Sequence, residues 1–212
     1  MNERFLVVED HPIVQLGLRQ LIAGRWPDAT VNVASNLTEA QARVSSAAYA
    51  MAVIDLNLPD AAGLDSLTIV RRLQPDLRVL VLSLNDEAIY AQRVLQLGAS
   101  GYLSKERAAV ELINAMERIL EGRRYITASQ AERIADLALG QADRAPHEAL
   151  SMQEYRVMTY LAQGKRLTEI ADLMNLSPKT ITTYRARVLE KIGVETNQAL
   201  LKYCLDRGIS IA

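Results

Sequence analysis

MAVIDLNLPDAAG, residues 51–63, is the stretch on which the fold turns. Residues 51–54 are apolar without a break, and Val53 and Ile54 are β-branched. No polar residue alternates with them, which is the pattern of a strand covered on both faces. The run stops on Asp55, and Asn57, Pro59 and Gly63 then supply turn chemistry. A parallel sheet places its reactive groups just beyond the carboxyl ends of its strands. An Asp that closes a strand is by itself usually a turn residue, so the meaning of Asp55 depends on what the other strands end in.

The same rhythm recurs in both directions. Apolar or β-branched runs occupy residues 5–8, 30–33, 79–82 and 101–103. Segments with helical spacing lie between and after them, at about 13–23, 38–46, 64–73, 87–97 and 108–121. Strands alternating with helices predict an α/β domain over residues 1–122, with a five-stranded, parallel, doubly wound sheet of the flavodoxin-like kind. The first strand ends in Glu9-Asp10, the third in Asp55 and the fourth in Ser83, and Lys105 follows the fifth. Carboxylates brought together disfavour one another's ionised form unless a cation joins them. A hard cation, Mg²⁺ foremost, suits carboxylate and carbonyl oxygens. Beside it Asp55 is a candidate nucleophile toward a phosphoryl group. Lys105 offers that group a point charge, and the Ser83 hydroxyl offers a hydrogen bond. Phosphoryl transfer needs mainly positioning and charge neutralisation, and this set supplies both. His11 reads as a helix-start or surface residue, not as a ligand.

Composition narrows the alternatives. The chain has 212 residues, half of them apolar, enough for two small cores. Cys204 is the single cysteine, which excludes an intrachain disulfide and a CxxC metal site. The other histidine, His147, is far from His11 in sequence. The longest clean apolar run, residues 47–54, falls well short of the ~20 residues needed to span a bilayer. The start, MNERFLVVEDHP, turns acidic too early for a signal peptide. The expected compartment is the reducing cytoplasm, with no membrane partner. Residues 1–150 carry 15 basic and 19 acidic side chains, whereas residues 151–212 carry 9 and 6. An acidic front and a basic tail place any nucleic-acid contact in the tail.

Residues 123–149 read as a linker, helical over about 128–139 and looser over 140–148, where Gly and Pro occur. The tail, residues 150–212, reads as four short helices and no strand. Ser151 and Glu154 form a capping box that opens the first, to about residue 162, and Gly164 follows its end. The second covers about 167–175. Ser177 caps the third, Pro178 fits its first turn and Gly193 ends it. The fourth covers about 197–207. At about 100° per residue, Ile181, Val188 and Ile192 share one stripe, which predicts the core face. Thr182, Thr183, Ala186 and Arg187 fall away from it. Such a surface can enter a major groove, where Thr and Arg reach base edges. Lys179 is placed for a phosphate, and Arg185, at the edge of the core face, is expected to pack its stem and send its guanidinium outward.

The segments VVEDHP, VIDLNLPDAAG, VLVLS and GASGYLSKE resemble the receiver domain of response regulators over about residues 4–122. The resemblance implies that Glu9, Asp10 and Asp55 hold the metal together with the backbone carbonyl of Asn57. It implies that Asp55 accepts phosphate, that Ser83 and Lys105 contact the bound phosphoryl group, and that Tyr102 is an aromatic switch. The pair Glu9-Asp10 departs from the commoner Asp-Asp. The run SPKTITTYRARVLEKIGV and the segment KRLTEIADLMNLS before it resemble the LuxR-type helix-turn-helix, with Tyr184 where many members have His. Together the two halves resemble the NarL/FixJ class of two-component response regulators. This implies a cognate histidine kinase as phosphodonor and double-stranded DNA as target. It further implies a homodimer on DNA and no enzymatic turnover of a separate substrate. Lys179, Thr182, Thr183, Arg185 and Arg187 would face the DNA. A phosphatase of the haloacid dehalogenase type would carry DxD on the first strand, and here Asp55 is on the third. A phosphorylation-dependent protein-binding adaptor is the alternative for a tail that does not read DNA.

Overall fold

The computed structural model describes residues 3–61, 64–83, 87–128, 130–132, 135, 145–207 and 209. Contacts divide the chain into two compact units, Met1–Asp136 and Leu137–Ala212. In the first, strands β1 (Arg4–Val8), β2 (Thr30–Ala34), β3 (Met51–Asp55), β4 (Arg78–Ser83) and β5 (Gly101–Ser104) alternate with helices. The helices are α1 (Pro12–Arg25), α2 (Leu37–Ser46), α3 (Asp65–Leu73), α4 (Glu87–Gln96) and α5 (Ala108–Leu120). The sheet order is β2-β1-β3-β4-β5 and every pairing is parallel. Connections leave β1 toward β2 and then return to β3 on its other side. That reversal opens a crevice beyond the carboxyl ends of β1 and β3, where ligands of such sheets gather.

The unbroken apolar run at residues 51–54 is explained by its place. β3 is the central strand, and all five of its residues are buried. One sheet face carries Phe5, Val7, Met51, Val53, Leu80, Leu82 and Leu103. It packs on Leu18 and Ile22 of α1 and on Leu112, Ala115, Met116 and Ile119 of α5. Each such fully buried side chain contributes about 1.5–3 kcal/mol before the entropy of ordering it is subtracted. Beyond α5 the chain turns back along β5. The Tyr125 amide donates to the Ser100 carbonyl at 2.9 Å, and Tyr125 bridges Gly101. A Cβ at residue 101 would stand 2.9 Å from the Tyr125 Cβ, so only glycine fits this close approach. Thr127 and Gln130, both buried, cap the next helical turn reciprocally. Most of the expected linker helix over 128–139 lies outside the described residues, and its described members 128, 130–132 and 135 are helical.

The second unit begins, among the described residues, with a 3-10 turn at Pro146–Ala149. It continues through α6 (Met152–Ala162), α7 (Leu167–Met174), α8 (Pro178–Ile192) and α9 (Asn197–Asp206). The Ser151–Glu154 capping box is formed in full. α7 stops one residue before the expected boundary because Asn175 takes the left-handed conformation, φ 55°. Gly193, φ 77°, ends α8. Among the described residues no helix is long and apolar enough to cross a membrane.

Candidate functional site

The register of the sheet builds the first site. Val8 pairs with Ile54 across β1 and β3, so the next residues, Glu9 and Asp55, stand at one level. Asp55 pairs with Leu82, and Ser83 pairs with Ser104. Side chains alternate along each strand. Residues 5, 7 and 9, residues 51, 53 and 55, and residues 103 and 105 therefore belong to the α1–α5 face. Glu9, Asp55 and Lys105 extend that apolar face outward, and the three side chains meet. The Lys105 ammonium lies 2.6 Å from Glu9 Oε2 and 2.8 Å from Asp55 Oδ2. Glu9 and Asp55 are each only 1% exposed. The Asn57 amide donates to Asp55 Oδ1 at 3.1 Å. Ser83, on the neighbouring strand β4, and Tyr102, on β5 one strand further, are fully buried on the opposite face. Gly63, expected in the loop pattern after Asp55, lies outside the described residues.

Burial is the largest influence on Asp55, and with the nearby charge of Glu9 it pushes the carboxyl above its ordinary range. Lys105 and the Asn57 amide oppose that rise without cancelling it. Lys105 itself is lifted, because the two carboxylates outweigh its desolvation. One ammonium thus serves two buried carboxylates. Glu9, Asp10, His11 and Asp55 each offer a ligand atom, and these atoms all lie within 4.8 Å of one another. Glu9 Oε2 and Asp10 Oδ1 are buried without a well-oriented hydrogen bond, although Lys105 and His11 stand at ion-pair distance. An oxygen-rich cluster short of positive charge suits a hard divalent cation.

His11 belongs to this cluster as well as starting the helix, and its side chain is 65% exposed. It does occupy the N-cap of α1, but its Nδ1 lies 2.9 Å from Glu9 Oε1 and 2.7 Å from Asp10 Oδ1. Its pKa is raised, first by the hydrogen bond to Glu9 and then by the charge of Asp10. Its place directly after Glu9-Asp10 was the available signal. Adjacency along an extended chain did not reveal that the ring folds back.

In the second unit, Ile181 and Val188 are fully buried and Ile192 nearly so, as the helical stripe required. Lys179, Thr182, Thr183, Ala186 and Arg187 are exposed. The Thr182 and Thr183 hydroxyls donate back to the carbonyls of Pro178 and Lys179, at 2.9 and 3.1 Å. Arg185 is of intermediate exposure, and its Nε donates to Asn197 Oδ1 of α9 at 2.8 Å in an exposed hydrogen bond, so part of the guanidinium is engaged within the unit. Among the described residues, Lys179 and Arg187 make no side-chain hydrogen bond or ion pair.

The family of response regulator receiver domains matches residues 5–117, and the luxR family of bacterial regulatory proteins matches residues 148–204. The chain belongs to the two-component response regulators of the NarL/FixJ class. Response regulator UvrY of Escherichia coli strain K12 is 29% identical over 208 residues, covering 96% of this chain and 94% of the relative. Response regulator GacA of Pseudomonas aeruginosa is 28% identical, covering 97% of each chain. Among solved structures, RcsB of Salmonella enterica serovar Typhimurium, bound to promoter rprA with phosphomimetic BeF3-, superposes with a TM-score of 0.67. That match has 27% identity and covers 96% of this chain and 98% of RcsB. A LuxR-family response regulator from Aurantimonas sp. SI85-9A1 is 33% identical over 66% of this chain and 99% of its own, with a TM-score of 0.58. This response regulator is therefore a phosphorylation-controlled, DNA-binding regulator of transcription. Its family is one of transcription regulators, which are not enzymes, and receiver domains bind Mg²⁺ at an acidic pocket.

Proposed function

We propose that Asp55 is the phosphoacceptor of this regulator and that a cognate histidine kinase is its donor. The carrying observation is the single Lys105 ammonium set between Asp55 Oδ2 and Glu9 Oε2 at the reversal point of the sheet. In the transfer, the P–N bond to the kinase histidine breaks as a P–O bond to an Asp55 carboxylate oxygen forms. Glu9, Asp10, Asp55 and the Asn57 carbonyl would hold Mg²⁺, which when bound neutralises charge on the phosphoryl oxygens. Lys105 exchanges part of its interaction with Asp55 for the incoming phosphoryl group, and Ser83 donates to a phosphoryl oxygen. Tyr102, on the same sheet face as Ser83, repacks in response. The receiver spans residues 1–122, the linker 123–149 and the DNA-binding domain 150–212. In the latter, α8 presents Lys179 and Arg187 to phosphates and base edges, with Thr182, Thr183 and Arg185 beside them. A homodimer on DNA reads two half-sites. The chain works in the cytoplasm and turns over no separate substrate.

Treatment with acetyl phosphate and Mg²⁺, followed by intact-mass measurement, tests this reading. Wild type gains one phosphoryl group and Asp55→Asn gains none. Footprinting on genomic DNA with the same pair shows phosphodonor-dependent occupancy in wild type only. Labelling of Asp55→Asn to the wild-type extent overturns the acceptor assignment. Absence of any salt-sensitive, sequence-specific DNA component overturns the DNA assignment in favour of a protein-binding adaptor.

A further inference from the structure

The two halves of the acidic cluster come from distant parts of the chain, and one turn touches both. That turn, residues 35–38, runs from the end of β2 into the first residues of α2. On one side the Glu9 amide donates to the Ala34 carbonyl at 3.0 Å. The Gln15 side chain of α1 then donates from Nε2 to the Glu9 carbonyl at 2.5 Å and to Ser35 Oγ at 3.2 Å. Gln15 thus ties the backbone at Glu9 to the start of the turn. On the other side stands Asp60, within the loop that follows the acceptor. Its Oδ1 accepts the Leu37 amide at 2.7 Å, and its Oδ2 accepts the Thr38 amide at 3.0 Å and the Thr38 hydroxyl at 2.9 Å.

The first turn of a helix has amides without intrahelical partners. In α2 the Glu39 amide is taken by Asn36, the local N-cap, at 2.8 Å. The Leu37 and Thr38 amides are taken by Asp60, a residue from another loop. Burial pushes the Asp60 carboxyl up, but these bonds outweigh it and hold it below its ordinary value, as expected for a carboxylate on a helix N-terminus. The loop is fixed at three places: Leu56 and Leu58 are buried in the core, and Asp60 is bonded to α2. Asn57, whose carbonyl is assigned to the cation, lies between those anchors. The Asn57 amide also holds Asp55 Oδ1. Displacing Asp60 therefore removes the loop's hydrogen bonds to α2 and leaves the packing of Leu56 and Leu58 to hold the segment around Asn57, and displacing Gln15 leaves the Glu9 backbone with its bond to Ala34.

We propose that Asp60 and Gln15 are positioning residues of the phosphoacceptor site, acting through the β2–α2 turn to set the spacing between Glu9–Asp10 and Asp55–Asn57. The proposal rests on the assignment of those four residues to a divalent cation. Groups that orient metal ligands without touching the metal commonly change affinity by roughly tenfold or more when removed. Neither side chain is offered as a ligand.

Calorimetric titration of Mg²⁺ into the full chain tests it, without phosphodonor. Wild type, Gln15→Ala, Asp60→Ala and Asp60→Asn are compared, with the melting temperature of each recorded. Wild type is expected to bind one ion, and Asp60→Ala and Gln15→Ala to bind it about tenfold more weakly. Asp60→Asn keeps one accepting oxygen and is expected to fall between. A variant combining Gln15→Ala with Asp60→Ala is expected to lose less than the product of the single losses, because both act on one turn. A purely structural helix cap would lower the melting temperature of Asp60→Ala while leaving Mg²⁺ affinity at the wild-type value, and that result overturns the proposal. Failure of wild type itself to bind Mg²⁺ overturns the assigned cation site and the positioning role with it. Wild-type binding with unaltered variants overturns the positioning role alone.

Discussion

Asp55 in the first unit and Glu154 in the second are both buried carboxylates with a lysine close by, at 2.8 and 2.6 Å. Burial pushes both toward the protonated form, yet Asp55 ends above its ordinary range and Glu154 below. The difference lies in what each lysine must serve. Lys191 serves one carboxylate, Glu154, besides the Ala149 carbonyl at 3.5 Å, and the Ser151 amide adds a donor at 2.6 Å to the same Oε2. Lys105 is divided between Asp55 and Glu9. A structural carboxylate is thus fully supplied with donors. The one assigned to phosphoryl chemistry is kept short of them, which leaves room for a cation and an incoming phosphoryl group.

The strongest way to sharpen this contrast is to remove the shared lysine. Lys105→Met leaves two buried carboxylates facing each other without their ammonium. A stability loss of about 3–5 kcal/mol in the first unit is expected at neutral pH. Trp26, the only tryptophan, packs on Phe5 in that unit, so its fluorescence in a urea titration reports this transition. The loss should shrink as pH falls and Asp55 takes up a proton. Added Mg²⁺ should recover part of it. A loss independent of both pH and Mg²⁺ would break the comparison, because Lys105 would then be a packing residue.

Glu154→Gln makes the complementary change and should cost less, about 1–2 kcal/mol in the second unit. Lys191 is 40% exposed, so solvent screens its share, and most of the loss comes from the capping box. Glu154 is depressed in the fold. Its stabilising contribution is therefore present above the unfolded value of about 4.3 and is lost as pH falls through the lower folded value. Calorimetry of both variants against wild type should place the acid-sensitive step in the second unit. Equal stability of Glu154→Gln and wild type at neutral pH would mean that the donors around Glu154 only offset its burial.

These contrasts also show which features the sequence made legible. Strand ends were legible because a buried strand in a parallel sheet has no polar alternation, so Asp55 and Ser83 stand out where the apolar runs stop. Caps were legible because Ser151–Glu154 and Ser177–Pro178 act over three residues or fewer. The α8 stripe was legible because its period is fixed by the helix. His11 was legible as a helix start, but the return of its ring onto the two residues before it was not, because a strand pattern does not encode it. Arg185 was expected to reach outward, and its bond to Asn197 crosses from α8 to α9, a contact set by how two helices pack. Asp60 carried no local sign either, since its partners, Leu37 and Thr38, lie 23 and 22 residues away in the chain.

The smallest and most pointed test is Asp55→Asn. The amide keeps the shape of the side chain and can still accept the Asn57 amide, but it carries no charge. Lys105 then serves Glu9 alone, at 2.6 Å, which is the arrangement Glu154 already has. The first unit should therefore gain stability at neutral pH, on the order of 1 kcal/mol. Because the folded Asp55 carboxyl is raised above its unfolded value, its favourable share is present in acid and is lost as pH rises through the folded value. Wild type and variant should converge at low pH and separate above it, with the variant the more stable. A variant less stable than wild type at neutral pH would mean that Asp55 is as well supplied as Glu154. The shortage of positive charge would then have to be sought at Glu9 and Asp10 instead.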